Sequence, residues 1–160
     1  MSDGRTGVLF MCLGNICRSP LAEGIFLHLA AARGVADRFR VDSCGTGGWH
    51  AGEAPDPRAS AVAAAHGVHL PSRARQLDAR GDAARFDLIV AMDAKNRVDA
   101  VAAGVPASKV VLMRDFEPGG GGDVPDPYYG GPEGFEAVFA MLERSCGGLL
   151  DHLLGDASRS

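Results

Sequence analysis

Cys12, Arg18 and Ser19 stand in the string VLFMCLGNICRSPLAEGIF, which places a thiol six positions before a guanidinium with a hydroxyl beside it. The residues between them, Leu13, Gly14, Asn15, Ile16 and Cys17, make a loop of the length that curls around one tetrahedral oxyanion with its backbone N–H groups pointing inward. Gly14 permits positive φ in such a loop, and Asn15 tolerates the left-handed region better than most residues. A planar guanidinium holds two equatorial phosphoryl oxygens and grips harder as charge redistributes in a transition state. A thiol beside an arginine and a helix N-terminus is stabilised as the thiolate, so Cys12 would stand in line to attack phosphorus. Ser19 can donate its hydroxyl to that sulfur and ease its later departure. Two rival phosphate motifs are absent: a G-x-x-x-x-G-K-[ST] loop needs a lysine, and a dinucleotide fingerprint needs G-x-G-x-x-G.

Such a loop works only at the end of a strand and the start of a helix, and the sequence supplies both. VLFMC is a continuous apolar run, as expected of a strand buried on both faces of a parallel sheet. Ser19 and Pro20 read as N-cap and first position of a helix whose apolar residues Leu21, Ile25 and Leu29 recur at helical spacing before it stops at Gly34. The grammar then repeats. Residues 39–43 form a second strand, followed by a glycine-rich loop, and Asp56 and Pro57 open a helix that ends at Gly67. Residues 86–93 are a third buried strand, 94–104 a third amphipathic segment and 109–113 a fourth strand. A long loop leads to a closing helix from about Phe135 to Leu154, with Gly119 to Gly122 as a flexible surface stretch.

Strands alternating with helices predict an α/β single-domain sandwich over residues 1–160, with a central four-stranded parallel sheet, helices on both faces and the phosphate loop after strand 1. Ligands bind beyond the C-terminal ends of strands in such sheets, which is where Cys12 lies.

With a net charge of −4, the chain gives no reason to expect nucleic-acid or membrane attraction, and no apolar run approaches the ~20 residues of a membrane helix. The N-terminus MSDGRTG lacks the apolar core of a signal peptide, so a cytoplasmic location is expected. The four cysteines, Cys12, Cys17, Cys44 and Cys146, show no C-x2-C pairing, so neither a structural metal nor a disulfide framework is expected. Cys44 and Cys146 read as packing, and His50, His66 and His69 belong to no motif.

The string VLFMCLGNICRSPLAE with its C-x5-R-S core resembles the low-molecular-weight protein tyrosine phosphatase family, bacterial type. A second, distant motif agrees: DPYYGG at Asp126 to Gly131 looks like the family's late acid loop. DSCGTGGWHAGEAPDPRA, HGVHLPSRARQ and AMDAKN are also similar, so the resemblance spans nearly the whole chain.

The resemblance implies that Cys12 is the nucleophile, Arg18 the phosphate clamp and Asp126 the general acid. Asn15 and Ser43 would brace the loop, and where the family often has a histidine this chain offers His69 and Ser72. Leu13, Ile16, Trp49, Tyr128 and Tyr129 resemble the walls of a phosphotyrosine cleft, and Cys17 would form a protective disulfide with Cys12 under oxidation. No cofactor is implied. The implied partners are tyrosine-phosphorylated proteins, the protein being expected as a monomer or weak dimer, and Tyr128 and Tyr129 are separately open to a tyrosine kinase on the ground of expected exposure alone. Two relatives on the same fold do other chemistry. Arsenate reductases need further cysteines downstream that LIVAMDAKN lacks, and phosphoarginine phosphatases typically carry threonine where Ile16 stands. A phosphopeptide-binding module would have lost the cysteine, arginine or acid, and all three are present.

Overall fold

The computed structural model describes residues 4–128 and 130–155. β1 (Thr6–Cys12) runs through the middle of a sheet of order β2-β1-β3-β4, with β2 (Phe39–Gly45), β3 (Leu88–Ala91) and β4 (Val110–Leu112) all parallel. Alternation along β1 feeds two separate cores, because successive side chains of a strand point to opposite faces. Val8, Phe10 and Cys12 pack into the larger cluster with residues of α1 (Arg18–Ala32), α2 (Pro57–Ala65) and α5 (Pro132–Leu154). Leu9 and Met11 face the smaller one, built from Ile89, Ala91, Phe86 and Ala100 of α4 (Ala94–Ala103). Both faces of the strand are therefore dry, which is what its unbroken apolar run predicts.

α5 owes its length to one apolar stripe, since Phe135, Val138, Phe139, Leu142, Cys146, Leu149 and Leu150 recur at helical spacing and are all buried. Its start at Pro132 lies three residues before the sequence-based boundary. α3 (Ala79–Arg85) is an α-helix that the sequence does not announce: it is short and polar, and Asp82 is its buried residue. It forms because Asp78 caps it and Asp82 ion-pairs with Arg75 and Arg85, local polar signals that hydrophobic periodicity does not register.

The start of α1 departs from expectation. The helix begins at Arg18, with Cys17 at the N-cap and no side-chain cap, so Ser19 and Pro20 lie inside the first turn. Pro20 is tolerated there because the first turn's N–H groups have no helical acceptor in any case. Ser19 is thereby released from capping and turned towards Cys12.

The chain steps from β1 outward to β2 and then crosses to β3 on the other side, so the C-terminal ends of β1 and β3 flank a crevice at the point where strand order reverses. No helix among the described residues is long and apolar enough to cross a membrane.

Candidate active site

Cys12 ends β1 with 3% of its surface exposed, and the chain then turns through Asn15 at φ 58, the only non-glycine residue with positive φ among the described residues. Gly14 does not share that conformation. What it contributes is room: a Cβ there would sit 3.0 Å from His50 Cδ2. The left-handed turn costs energy, and the Asn15 side chain offsets it with a full set of bonds. Asn15 Nδ2 donates to Ser19 Oγ at 2.8 Å and Ser43 Oγ at 3.0 Å, and its Oδ1 accepts from the Arg75 N–H at 3.0 Å. The network continues inward, where Ser43 and Ser72 donate to the two oxygens of buried Glu23 at 2.7 and 2.6 Å. Burial pushes the Glu23 carboxyl up, while the Ser72 and Ser43 hydroxyls pull it back down. Of the two residues offered in place of the family's histidine, Ser72 is thus the one whose hydroxyl joins the network. Gly45, at the end of β2, lets the loop lean on the sheet, since a Cβ there would lie 2.7 Å from the Leu13 carbonyl oxygen.

Cys12 Sγ accepts from the Asn15 N–H at 3.3 Å and stands 3.0 Å from Ser19 Oγ. Because Asn15 Nδ2 already donates to that hydroxyl, the single Ser19 proton is available for the sulfur, the Cys44 carbonyl at 3.3 Å being the more distant alternative. Among the described residues no acceptor engages the N–H groups of Gly14, Ile16, Cys17 or Arg18. These donors and the N-terminal end of α1 make an anion-binding concavity beside the thiol.

Arg18 is 3% exposed, and its Nη1 donates to Asp93 Oδ2 at 2.7 Å and to the Val124 carbonyl at 3.0 Å. Burial alone would lower its pKa, but Cys12, Asp93 and Asp126 together hold it above the ordinary arginine value. Asp93 is a site residue that sequence reasoning missed. Its cap role is legible, since Oδ1 accepts from Asn96 N–H at the start of α4, but nothing local reveals that Oδ2 holds Arg18.

A cleft of about 290 Å³ opens above Cys12 and Arg18. Leu13, Ile16, Trp49 and Tyr128 line it, and so does His50, which no motif marked. The Trp49 indole is 70% exposed and lies back over Gly47, where any Cβ would overlap it. Asp126 also borders the cleft: Oδ1 accepts from the Tyr128 N–H at 3.0 Å, and Oδ2 faces Arg18 Nη2 at 3.7 Å. Tyr129 lies outside the described residues. Cys17 is a buried free thiol pushed up to about 12, by burial first and then by the charges of Asp56, Cys12 and Asp126, so it stays neutral at pH 7. Burial also pushes up the Cys44 and Cys146 thiols. No group of three or more His, Cys, Asp or Glu side chains among the described residues is placed to hold a metal ion.

A parallel sheet whose first strand ends in a thiol, with loop amides, a helix end and a buried guanidinium turned to the same point, defines a class of α/β proteins built to hold an oxyanion against a cysteine. The model of the low molecular weight phosphotyrosine protein phosphatase family matches residues 7–159, and the chain belongs to that family. A low molecular weight protein-tyrosine-phosphatase of Streptomyces coelicolor is 47% identical over 150 residues, covering 89% of this chain and 90% of the relative. The crystal structure of a protein tyrosine phosphatase from Entamoeba histolytica, with Hepes in its active site, superposes with a TM-score of 0.88 at 36% identity, over 92% of this chain and 96% of that one. A Drosophila arginine phosphatase superposes with a TM-score of 0.81 at 32% identity, over 93% and 98% of the two chains.

Proposed function

We propose that this chain is a protein tyrosine phosphatase that hydrolyses phosphotyrosine in proteins through a phosphocysteine on Cys12. The observation that carries the reading is the convergence on one point of the Cys12 sulfur, the unengaged loop amides and the Arg18 fork, with Asp126 Oδ2 3.7 Å from that fork. The Cys12 thiolate attacks phosphorus as the bond to the tyrosine oxygen breaks, and Asp126 gives that oxygen its proton. The ionised Asp126 then takes a proton from water as the water oxygen bonds to phosphorus. The S–P bond breaks, the thiolate returns, and inorganic phosphate leaves. Ser19 donates to the sulfur at both stages, lowering the cost of its negative charge.

Depth and wall chemistry support an aromatic substrate. Leu13, Ile16, Trp49 and Tyr128 line the cleft with surfaces suited to a phenyl ring, and phosphoserine has a shorter reach towards Cys12. The likeness to an arginine phosphatase makes phosphoarginine the competing substrate, and the apolar Ile16 side chain favours the ring over a guanidinium.

The test is hydrolysis of phosphotyrosine, phosphoserine and phosphoarginine with chelator present. Phosphotyrosine alone is expected to turn over. Preference for phosphoarginine would replace the substrate class while keeping the loop, and no turnover of any of the three would point to a phosphopeptide-binding module.

Arg18→Lys tests the clamp. A lysine is a point charge without the fork, so it cannot hold Asp93, the Val124 carbonyl and two phosphoryl oxygens at once. The expected loss in kcat/KM is about 10²- to 10³-fold for every aryl phosphate regardless of leaving group. A loss of only a few fold would mean that the loop amides carry the phosphate alone.

A further inference from the structure

We infer that Arg58 is a positioning residue that sets where Asp126 stands, by latching the loop that carries Asp126 to the phosphate loop. The inference rests on the proposed role of Asp126 as the acid.

Four contacts converge on the Arg58 guanidinium. Its Nε and Nη2 form a fork on the two Asp56 carboxylate oxygens at 3.1 and 3.0 Å. Its Nη1 donates to the Gly130 carbonyl at 3.3 Å. Its plane covers the Tyr128 ring, with the centroid 5.4 Å away, and the buried Phe135 ring of α5 at 4.7 Å. Asp56 is itself anchored, since its N–H donates to the Ile16 carbonyl of the phosphate loop at 2.8 Å. Its side chain also caps α2 through the Arg58 N–H at 2.8 Å. One continuous chain of contacts thus runs from the phosphate loop through Asp56 and Arg58 to Tyr128 and Gly130.

On the far side, Asp126, Pro127, Tyr128 and Gly130 are tied to one another. Tyr128 N–H binds Asp126 Oδ1 at 3.0 Å, and Gly130 N–H binds the Pro127 carbonyl at 3.0 Å. Holding Tyr128 and Gly130 therefore holds Asp126. Against the cleft, among the described residues, Asp126 has the 3.7 Å approach of Arg18 Nη2, which is too long to be a hydrogen bond. The latch supplies the tight attachment that this end lacks. Arg58 is not among the residues lining the cleft, so its loss should harm the proton transfer and leave phosphate binding alone.

The readout is the dependence of kcat/KM on the leaving group, compared between phenyl phosphate, whose phenol holds its proton like tyrosine (pKa about 10), and 2,4-dinitrophenyl phosphate, whose phenolate leaves without one. Arg58→Gln is expected to lose roughly tenfold or more on phenyl phosphate and less than about twofold on the dinitrophenyl ester, because a misplaced acid matters only where a proton is needed. The inhibition constant of inorganic phosphate should stay within about twofold, since the Asn15 network holds the phosphate loop independently. Asp56→Asn keeps the helix cap and weakens only the fork, so it should show the same signature at smaller size, and it serves if Arg58→Gln fails to fold. Equal losses on both esters would mean that Arg58 only supports the fold, and no loss on either would mean that the latch is idle; both overturn the inference. Asp126→Ala in the same series separates the two levels. If it discriminates between the esters and the Arg58 and Asp56 variants do not, the latch alone falls. If Asp126→Ala does not discriminate, the acid assignment falls and the latch with it.

Discussion

Cys12→Ser is expected to abolish turnover, with a loss of at least about 10⁵-fold in kcat, equivalent to about 7 kcal/mol of barrier. The substitution removes one thing only. Serine is close in shape, the site is buried, and the Ser19 hydroxyl and Asn15 N–H that face the sulfur can face an oxygen instead. What serine lacks is the sulfur nucleophile, since a hydroxyl is a weak nucleophile without an adjacent base. The thiol next along the loop offers no detour, because burial and nearby carboxylates push Cys17 up to about 12 and keep it protonated. The variant should therefore fold, bind inorganic phosphate and bind a phosphotyrosine peptide without consuming it. Calorimetric binding with no release of phosphate is the expected pair of results. Residual turnover above about one per cent of wild type would exclude a phosphocysteine on Cys12.

Asp126→Ala is expected to cost about 10²- to 10⁴-fold on phenyl phosphate or phosphotyrosine and far less on esters with acidic phenols. A second effect has the opposite sign. Asp126 Oδ2 lies 3.7 Å from Arg18 Nη2, so deleting the carboxylate removes a negative charge from beside an anion site. Inorganic phosphate should then inhibit the variant at least as strongly as the wild type. Weaker inhibition together with a uniform loss across leaving groups would assign Asp126 to positioning of Arg18 and leave the acid to be found elsewhere.

The parts of the site that could be read in advance are those that act over short stretches of chain. The strand and helix around Cys12 follow from an unbroken apolar run and from helical spacing, and Asn15 was marked for the left-handed turn by the chemistry of its own side chain. Ser19 shows the limit of that reasoning. A serine before a proline reads as a cap, yet the helix starts two residues earlier than that reading places it, and the hydroxyl goes to the sulfur and the Asn15 amide instead. Gly14 was credited with positive φ, whereas the space it leaves beside His50 is what the fold uses. His50 and α3 left no signal because neither lies in an apolar repeat or a motif.

By itself, the sequence determined the order of the elements, the loop between β1 and α1, and the candidates for nucleophile, clamp and acid, since each is written within a stretch of a few residues or a single strand-helix unit. Only the tertiary structure decided what holds them. Arg18 is gripped by Asp93 and the Val124 carbonyl, 75 and 106 positions away, and Arg58 meets Gly130 across 72. Those partners come together because the parallel sheet brings the C-terminal ends of β1 and β3 to one crevice, with the segment after β4 folded over it. A long-range pairing of this kind depends on strand order and register, which are set by burying both faces of the sheet at once and leave no periodic trace in the residues that happen to meet there.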